Sequence, residues 1–212
     1  MISMFMKNPR LAVVVLPTLL LALTFHEFAH AWTAWRCGDD TPRHAGRLTL
    51  NPLAHLDLMG SMVLLVTGLF GWAKPVPVDP RNLRTRGSFA LVALAGPLAN
   101  LLLAVLIVIF LYCADHFFSS FFNGLSPSSF EFVSMLATQL LIVNVAFAVF
   151  NLLPFPPLDG FNIVCPFLPR EAALFVLRYQ LVFMIILFLA IWAGFASFLV
   201  GGVLNVVSWI LK

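Results

Sequence analysis

Long apolar runs separated by short polar connections dominate this chain. A transmembrane helix needs about 20 consecutive, mostly apolar residues to cross the hydrocarbon core of a bilayer. Five runs approach or exceed that length, at residues 11–35, 88–113, 130–153, 172–193 and about 195–211. The last two are expected to be separated by a tight turn near Gly194. The pattern predicts an all-α polytopic membrane protein with about five to six transmembrane helices.

A sixth apolar stretch, residues 59–72, is too short for a span and is typical of a re-entrant or buried segment. The flanking stretches 44–60 and 74–82 contain Pro and Gly, and their segments RLTLN and PVPVD alternate as β-strands do. Non-helical backbone at membrane depth is tolerated only where protein or a watery cavity covers it. We therefore expect a short re-entrant segment beside a small β-hairpin or strand region. Without repeats or linkers, residues 1–212 are expected to form a single domain.

Composition agrees with this class. Hydrophobic residues make up 61% of the 212 residues, charged residues 10%, and the mean hydropathy is +1.00. Soluble domains carry about 25% charged residues. The formal net charge of +3 reflects basic loops near a membrane and does not indicate nucleic-acid binding. The three cysteines are far apart, which argues against a structural zinc cluster or a disulfide framework.

The N-terminal run carries its most unusual residues in its C-terminal half and is followed directly by more structure, so it is expected to be a retained helix rather than a signal peptide.

Loop charges predict the orientation, because short loops rich in Lys and Arg stay in the cytoplasm. The basic loops are 36–58, 73–87 and 154–178, whereas loop 114–129 has no Lys or Arg. Loops 36–58 and 73–87 are both cytoplasmic only if residues 59–72 enter and leave the membrane on the same face. The first helix then runs from outside to inside. An N-terminus held inside would require 59–72 to behave differently. We expect a multi-pass protein of the plasma membrane.

The stretch TFHEFAHAW, residues 24–32, places ionisable side chains inside the first apolar run. His26 and His30 are four residues apart and share one face of a helix, so their imidazoles can converge on one ion. Glu27 is offset from them by about 100° and can reach a water without being a ligand. H-E-x-x-H is the pattern of two zinc ligands and the general base of a metallohydrolase. Ionisable groups in a spanning helix are costly, which favours function over a paired core cluster.

A catalytic zinc needs a third protein ligand and leaves a fourth position for water. The best candidate is Asp159 in NLLPFPPLDG, residues 151–160, where prolines break the third helix. On the predicted topology, Asp159 and the two histidines lie at similar depth. Competitors are Asp57, His55 and His44, and an ordinary capping role for Asp159 is also open.

Together these motifs resemble the site-2 protease family of intramembrane zinc metalloproteases. HEFAHAW is similar to its zinc-binding helix and NLLPFPPLDG to its second signature. GRLTLNPLAHLD, GWAKPVPVDPRNL and ALAGPLANLLLA resemble its small bacterial members. The resemblance covers most of the chain. One departure is Leu58, where the family often has Pro after the aspartate. The connections are too short for a PDZ domain, so a member without PDZ or CBS domains is expected.

The resemblance implies one Zn²⁺ per chain on His26, His30 and Asp159, with Glu27 as the base. It also implies that Asn151 lies beside the metal, where its amide can donate to a developing oxyanion. Asn100 is expected to be structural. The implied reaction is hydrolysis of peptide bonds in or near transmembrane segments of membrane proteins. This would serve regulated intramembrane proteolysis or clearance of signal-peptide remnants. The partners would be the substrate and the lipid bilayer, and the sequence leaves the oligomeric state open.

A substrate helix must unwind before its peptide bonds can be attacked. An extended segment could then pair with 46–51 or 74–79, although those segments could equally line the cavity. The alternative function is a membrane zinc protein without protease activity, such as a transporter. A transporter would show further ionisable residues along residues 88–113 and 172–211, and these ranges contain almost none, which argues against a conduction path.

Overall fold

The computed structural model describes residues 9–67, 73–117, 124, 126–195, 198, 200–202 and 204–205. In chain order the helices run α1 (Pro9–Arg36), α2 (Thr41–His44), α3 (Leu58–Thr67), α4 (Arg86–Phe117), α5 (Pro127–Asn151), α6 (Asp159–Val164), α7 (Arg170–Arg178) and α8 (Gln180–Trp192), with 3₁₀ turns at Pro52–Ala54 and Cys165–Phe167.

Three helices are long and apolar enough to cross a membrane. They contain the candidate spans Val13–Arg36, Gly87–Ala114 and Pro127–Asn151, which lie in α1, α4 and α5. These are the first three runs that the hydrophobic pattern predicted. The three helices pack on one another, and α4 also contacts α6. The predicted membrane protein is therefore confirmed in its class, and this three-helix unit forms its centre.

Small side chains line the contacts within this unit. Ala22, Ala31, Ala93 and Ala148 are all at most 5% exposed. Lipid tails are as apolar as leucine, so membrane helices associate through close packing of small residues rather than through water exclusion. On the outer face of α4 the pattern reverses, with exposed Leu98, Leu102, Val105, Leu106 and Ile109. In a bilayer that face contacts acyl chains.

The predicted total of five to six spans is not confirmed. Residues 172–193, predicted as one span, form α7 and α8, which are bent by 66° and together make at most a fourth span. The bend at Tyr179 coincides with a change in composition, because α7 carries Arg170, Glu171 and Arg178, whereas α8 has no charged residue. The expected turn at Gly194 is present, with φ of 93°. Most of run 195–211 lies outside the described residues.

The short sixth stretch begins as a helix. α3 has 10 residues, a length of about 15 Å, which is half of the hydrocarbon thickness. Residues 68–72 lie outside the described part of the chain. The length agrees with the prediction that this segment does not span, while its re-entrant course stays a prediction.

The predicted strands are not formed. Residues 46–51 and 74–79 contain no strand, and the described chain has one isolated antiparallel bridge, between Leu56 and Ala73. The physical reason is a shortage of donors, because Pro75 and Pro77 have no amide hydrogen for a ladder. The buried Arg47 joins the two stretches instead: its guanidinium donates to the carbonyl oxygens of Ala54 at 2.6 Å and Lys74 at 3.1 Å.

The buried carboxylate of Asp39 joins the loop between α3 and α4 to the end of α1. Asp39 accepts hydrogen bonds from the amide and hydroxyl of Thr41, from the Asp79 amide at 2.8 Å and from Asn82 Nδ2 at 3.0 Å. Next to it, Ala34 of α1 packs with Leu83, which precedes α4, and with Val92 of α4. The loop between α3 and α4 is thereby held at the same end of the molecule as Arg36.

Candidate metal centre

The two histidines of α1 meet where this helix faces α4 and α5. Their Nε2 atoms are 3.1 Å apart, and the rings are nearly perpendicular, with centroids 4.6 Å apart. His26 and His30 are 4% and 8% exposed. His30 lies six residues and His26 ten residues before the last residue of α1, so the pair is about 9–15 Å below the end of the helix. The site is thus inside the span, near one membrane face.

Asp159 reaches the pair because the chain turns back sharply after α5. Helix α5 ends at Asn151, a proline-containing segment follows, and α6 begins at Asp159. A Cβ at Gly160 would collide with the carbonyl oxygens of Leu152 and Leu153, so this turn requires a residue without a side chain. The Oδ2 atom of Asp159 lies 3.1 Å from His26 Nε2 and 3.2 Å from His30 Nε2.

The hydrogen bonds of the two Nδ1 atoms, on the outer side of each ring, show whether the inner Nε2 contacts can be hydrogen bonds. His26 Nδ1 lies 2.7 Å from Asn100 Oδ1, and His30 Nδ1 lies 2.7 Å from the Val92 carbonyl oxygen. Both oxygens are acceptors, so each neutral imidazole carries its proton on Nδ1 and a lone pair on Nε2. The inner contacts therefore bring together three acceptors. For this reason, Asp159 Oδ2 is close to two nitrogens and yet is buried without a hydrogen-bond partner.

Three buried acceptors at this spacing fit a cation. Tetrahedral zinc with ligand bonds of about 2.0–2.1 Å separates its ligand atoms by about 3.3 Å. The three separations here are 3.1–3.2 Å, so small shifts would accommodate the ion. Two imidazoles and one carboxylate also form a ligand set typical of catalytic zinc, which keeps one position open.

Within the described residues, no other group of His, Cys, Asp and Glu is arranged to hold a metal. The competing third ligands have different surroundings. Asp57 Oδ1 accepts from the Gly60 amide at the start of α3, and His55 is fully buried with Nε2 donating to the Thr49 carbonyl. His44 is exposed. The structure therefore brings Asp159 to the two histidines and leaves these three outside the cluster.

Glu27 is buried beside the cluster, with 9% of its surface exposed. No described residue hydrogen-bonds to its carboxylate or forms an ion pair with it. Asn151 ends α5, where its Nδ2 donates to the Phe147 carbonyl at 3.0 Å. Phe147, one turn earlier, packs edge-on against His26 with ring centroids 6.1 Å apart. Because residues four apart share a helix face, Asn151 lies on the side of α5 that faces the cluster.

Two features of α4 were not identified as part of the site from the sequence. A Cβ on Gly96 would lie 2.6 Å from Cε1 of His30 and 2.7 Å from Cε1 of His26, so α4 passes directly against both rings. Asn100, one turn later, bonds to His26 and to Asn144 of α5. The sequence did offer a signal: Asn100 and Asn144 each place a side-chain amide inside an apolar run, and a buried polar group is costly unless it is paired.

Comparison with known proteins identifies the family. The model of Peptidase family M50 matches residues 14–193. The chain belongs to peptidase family M50. Relatives carry the name "putative zinc metalloprotease": YwhC of Bacillus subtilis is 40% identical over 153 residues, which are 72% of this chain and 68% of YwhC. Rip2 of Mycolicibacterium smegmatis is 34% identical over 75% of this chain and 59% of its own length. Rip2 of Mycobacterium tuberculosis H37Rv is 32% identical over 84% and 67%. No solved structure matches the chain.

Membership of M50 agrees with the cluster. This M50 chain is a zinc metallopeptidase whose cofactor is Zn²⁺, and its apolar helices make it an intramembrane one. The resemblance to site-2 proteases is thereby confirmed. A non-proteolytic zinc protein is not favoured.

Proposed function

We propose that His26, His30 and Asp159 are the zinc ligands of an intramembrane endopeptidase and that Glu27 is its general base. The observation that carries this proposal is the convergence of three buried acceptor atoms, each within 3.2 Å of the others. Without a cation, lone pairs would face one another inside the protein, and the orphaned Asp159 Oδ2 would cost free energy.

A bound zinc ion supplies a Lewis acid that polarises the scissile carbonyl and lowers the pKa of a water molecule. Glu27 accepts the proton of the attacking water and then gives it to the leaving amine. Its position supports this role, because a base needs a free carboxylate near the reacting atoms. The residue follows His26 directly, and its carboxylate has no partner among the described side chains. Burial at 9% exposure excludes most bulk water while leaving some access.

We assign Asn151 the donor to the oxyanion of the tetrahedral intermediate. One of its two amide hydrogens is used by the Phe147 carbonyl, and the second is available to a substrate. Oxyanion donors act on the transition state more than on the bound substrate. Replacement of Asn151 is therefore expected to lower kcat with little change in KM.

The substrate is proposed to be a transmembrane protein whose helix unwinds locally before cleavage. The connection from Lys74 to Asp79 offers one backbone edge to such an extended segment. Alternate residues of an extended chain point their amides to the same side, so Val76 and Val78 share an edge, whereas Pro75 and Pro77 have no amide hydrogen on the other. No described residue hydrogen-bonds to the amides of Val76 and Val78. A substrate strand that adds here would therefore pair with the Val76 and Val78 amides, beyond Lys74, whose amide and carbonyl are already bonded to His55 and Arg47.

We further propose that the protein is in the plasma membrane and that the centre opens toward the cytoplasm. The end of α1, the loop after it and the start of α4 carry the basic residues, and the metal-binding residues lie in the adjacent part of the span.

The decisive experiment uses purified protein in detergent, loaded with zinc and incubated with single-pass membrane proteins. Glu27→Gln keeps the size of the side chain but removes the base. It is expected to retain one zinc per chain and to lose at least about 100-fold in cleavage rate, the range expected for general acid–base catalysis. In the same assay Asn151→Leu is expected to retain zinc and lose about 100- to 1,000-fold in kcat.

Asp159→Asn provides the matched comparison for metal binding, and metal analysis should find the zinc content of this variant strongly reduced. Equal cleavage by wild type and Glu27→Gln would contradict the role of the base. A full complement of tightly bound zinc in Asp159→Asn would contradict the ligand set.

A further inference from the structure

A chain of amide side chains connects His26 to three helices. His26 Nδ1 donates to Asn100 Oδ1, as described above. Asn100 Nδ2 in turn donates to the Ala22 carbonyl at 3.0 Å and to Asn144 Oδ1 at 2.9 Å. Asn144 Nδ2 donates to the Leu140 carbonyl at 2.8 Å. Asn100 and Asn144 are 0% and 1% exposed, so the entire chain is inside the bundle.

The backbone carbonyls determine the direction of every bond in this chain. The oxygens of Ala22 and Leu140 can only accept, so both amide nitrogens must point toward them. Asn144 Oδ1 is then left to receive the second hydrogen of Asn100 Nδ2. Asn100 Oδ1 is in turn left as an acceptor facing His26. Neither amide can turn over without placing two donors or two acceptors against each other, at a cost of about 1–3 kcal/mol per unpaired buried group.

His26 and His30 differ in this respect. The outer nitrogen of His30 is held by a backbone carbonyl, that of Val92, which no substitution removes directly. The outer nitrogen of His26 is held by a side chain, Asn100, whose orientation is fixed by the Ala22 carbonyl and by Asn144. The orientation of one of the two histidines therefore depends on residues of α4 and α5.

We propose that Asn100 and Asn144 are positioning residues that hold the His26 ring in the tautomer and orientation required for metal binding. The proposal rests on the proposed metal assignment above. Partners of the outer nitrogen of a metal-ligating histidine fix its tautomer, and their loss commonly costs about 10- to 100-fold in metal affinity. Asn144 acts one step further away, by keeping the Asn100 oxygen turned toward His26.

Zinc affinity, measured by competition with a chromophoric chelator in detergent, tests this proposal directly. Asn100→Leu removes the acceptor and is expected to weaken zinc binding by about 10- to 100-fold. Asn144→Leu removes one of the two acceptors that hold the Asn100 amide nitrogen and leaves the Ala22 carbonyl in place, so it is expected to cause a smaller loss. Asn100→Asp keeps an acceptor for His26, and a carboxylate is itself a common partner of a metal-ligating histidine. Its second oxygen would face the Ala22 carbonyl, which costs stability in the metal-free and the metal-bound protein alike. This variant is expected to bind zinc about as tightly as wild type.

A second readout is the visible spectrum of the cobalt-substituted protein, which reports the ligand geometry independently of cleavage. It is expected to change in Asn100→Leu and to be preserved in Asn100→Asp. Thr18→Val is the matched control, because Thr18 is a fully buried polar residue of α1 whose hydroxyl, among the described residues, bonds to the Val15 carbonyl alone. Its affinity and spectrum should equal those of wild type.

Wild-type zinc affinity and an unchanged cobalt spectrum in folded Asn100→Leu would overturn the proposal. Should Asn100→Leu fail to fold, the other two variants decide. Normal affinity in Asn144→Leu, or an equal large loss in Asn100→Asp and Asn144→Leu, would overturn it. Wild type and His26→Ala separate this result from the metal assignment. Zinc bound by wild type and lost in His26→Ala supports the assignment whatever Asn100 does, whereas wild type that binds no zinc contradicts the assignment itself.

Discussion

Gly96 is the point at which the metal centre depends on the absence of a side chain. Helix α4 presents this residue to both imidazoles, and the rings themselves are fixed on their outer sides by Asn100 and Val92. An added methyl group would therefore meet side chains that cannot move outward. Interiors are packed densely enough that one extra carbon displaces its neighbours.

We predict that Gly96→Ala weakens zinc binding by at least about tenfold, because overpacking costs about 1–3 kcal/mol and here acts on the two proposed histidine ligands. Chelator competition measures the effect. Gly87→Ala, in the same helix, is the matched control, since its new Cβ would meet nothing closer than Thr85 Oγ1 at 3.8 Å. Equal zinc affinities for the two variants would show that α4 can move away from the histidines at little cost.

At the scale of elements, Asp39 fastens the loop between α3 and α4 to the end of α1. In Asp39→Asn the new amide nitrogen would face the Asp79 amide, or else the donors of Thr41 and Asn82, so at least one buried contact becomes donor against donor. We predict a loss of about 1–3 kcal/mol in the free energy of unfolding. Thermal unfolding in detergent at pH 7 measures it.

The same variant has a pH signature. Burial raises the pKa of the Asp39 carboxyl, but hydrogen bonds from Asn82, Thr41 and the Asp79 amide outweigh that effect, and the net pKa lies below the ordinary 3.8. A carboxyl with a depressed pKa stabilises the fold above its unfolded pKa and loses that contribution as the pH falls below about 4. Wild type should lose stability more steeply than Asp39→Asn between pH 5 and pH 3. Asp40→Asn, at an exposed neighbour, should follow wild type. A curve for Asp39→Asn that parallels both would contradict the prediction.

The helices were more predictable than the connections for a physical reason. An apolar run long enough to span must satisfy its backbone within itself, so α1, α4 and α5 follow from hydrophobicity alone. The connection around Lys74 has a strand-like alternation, but its prolines cannot donate to a ladder and Arg47 supplies the bonds instead. The bend at Tyr179 carries no Pro or Gly signal and becomes visible only as the boundary between a charged and an uncharged helix.

The centre itself was predictable in part. Two histidines one turn apart on a helix must converge, and a carboxylate beyond a proline-broken helix is available at similar depth. The sequence could not reveal that Gly96 faces the rings or that Asn100 and Asn144 bond across helices, because these contacts depend on how α4 and α5 are rotated about their axes. The sequence shows that Asn100 and Asn144 lie within apolar runs, but it does not show which groups they bond to.

At the scale of the whole molecule, one long helix separates the parts of the chain that share a membrane face from those that do not. With 32 residues, α4 is about 48 Å long and exceeds the hydrocarbon thickness of about 30 Å, so its two ends are on opposite sides of the membrane. The start of α4 is tied to the end of α1 by Asp39 and the loop that it holds. The end of α4 leads instead to the start of α5, at Pro127. The metal centre therefore shares a side with the basic loops.

We predict that cysteines placed at Ala45 and Ser128 react with a membrane-impermeant maleimide from opposite sides. Both positions are exposed, and neither substitution changes the loop charges that set the orientation. On a background lacking Cys37, Cys113 and Cys165, Ser128→Cys should be labelled in intact cells and Ala45→Cys only after lysis, with the cysteine-free protein unlabelled throughout. The reverse pattern would place the metal centre toward the outside. Labelling of both from one side would mean that α4 does not cross the bilayer, and the three-helix arrangement around the histidines would then lack its membrane-spanning core.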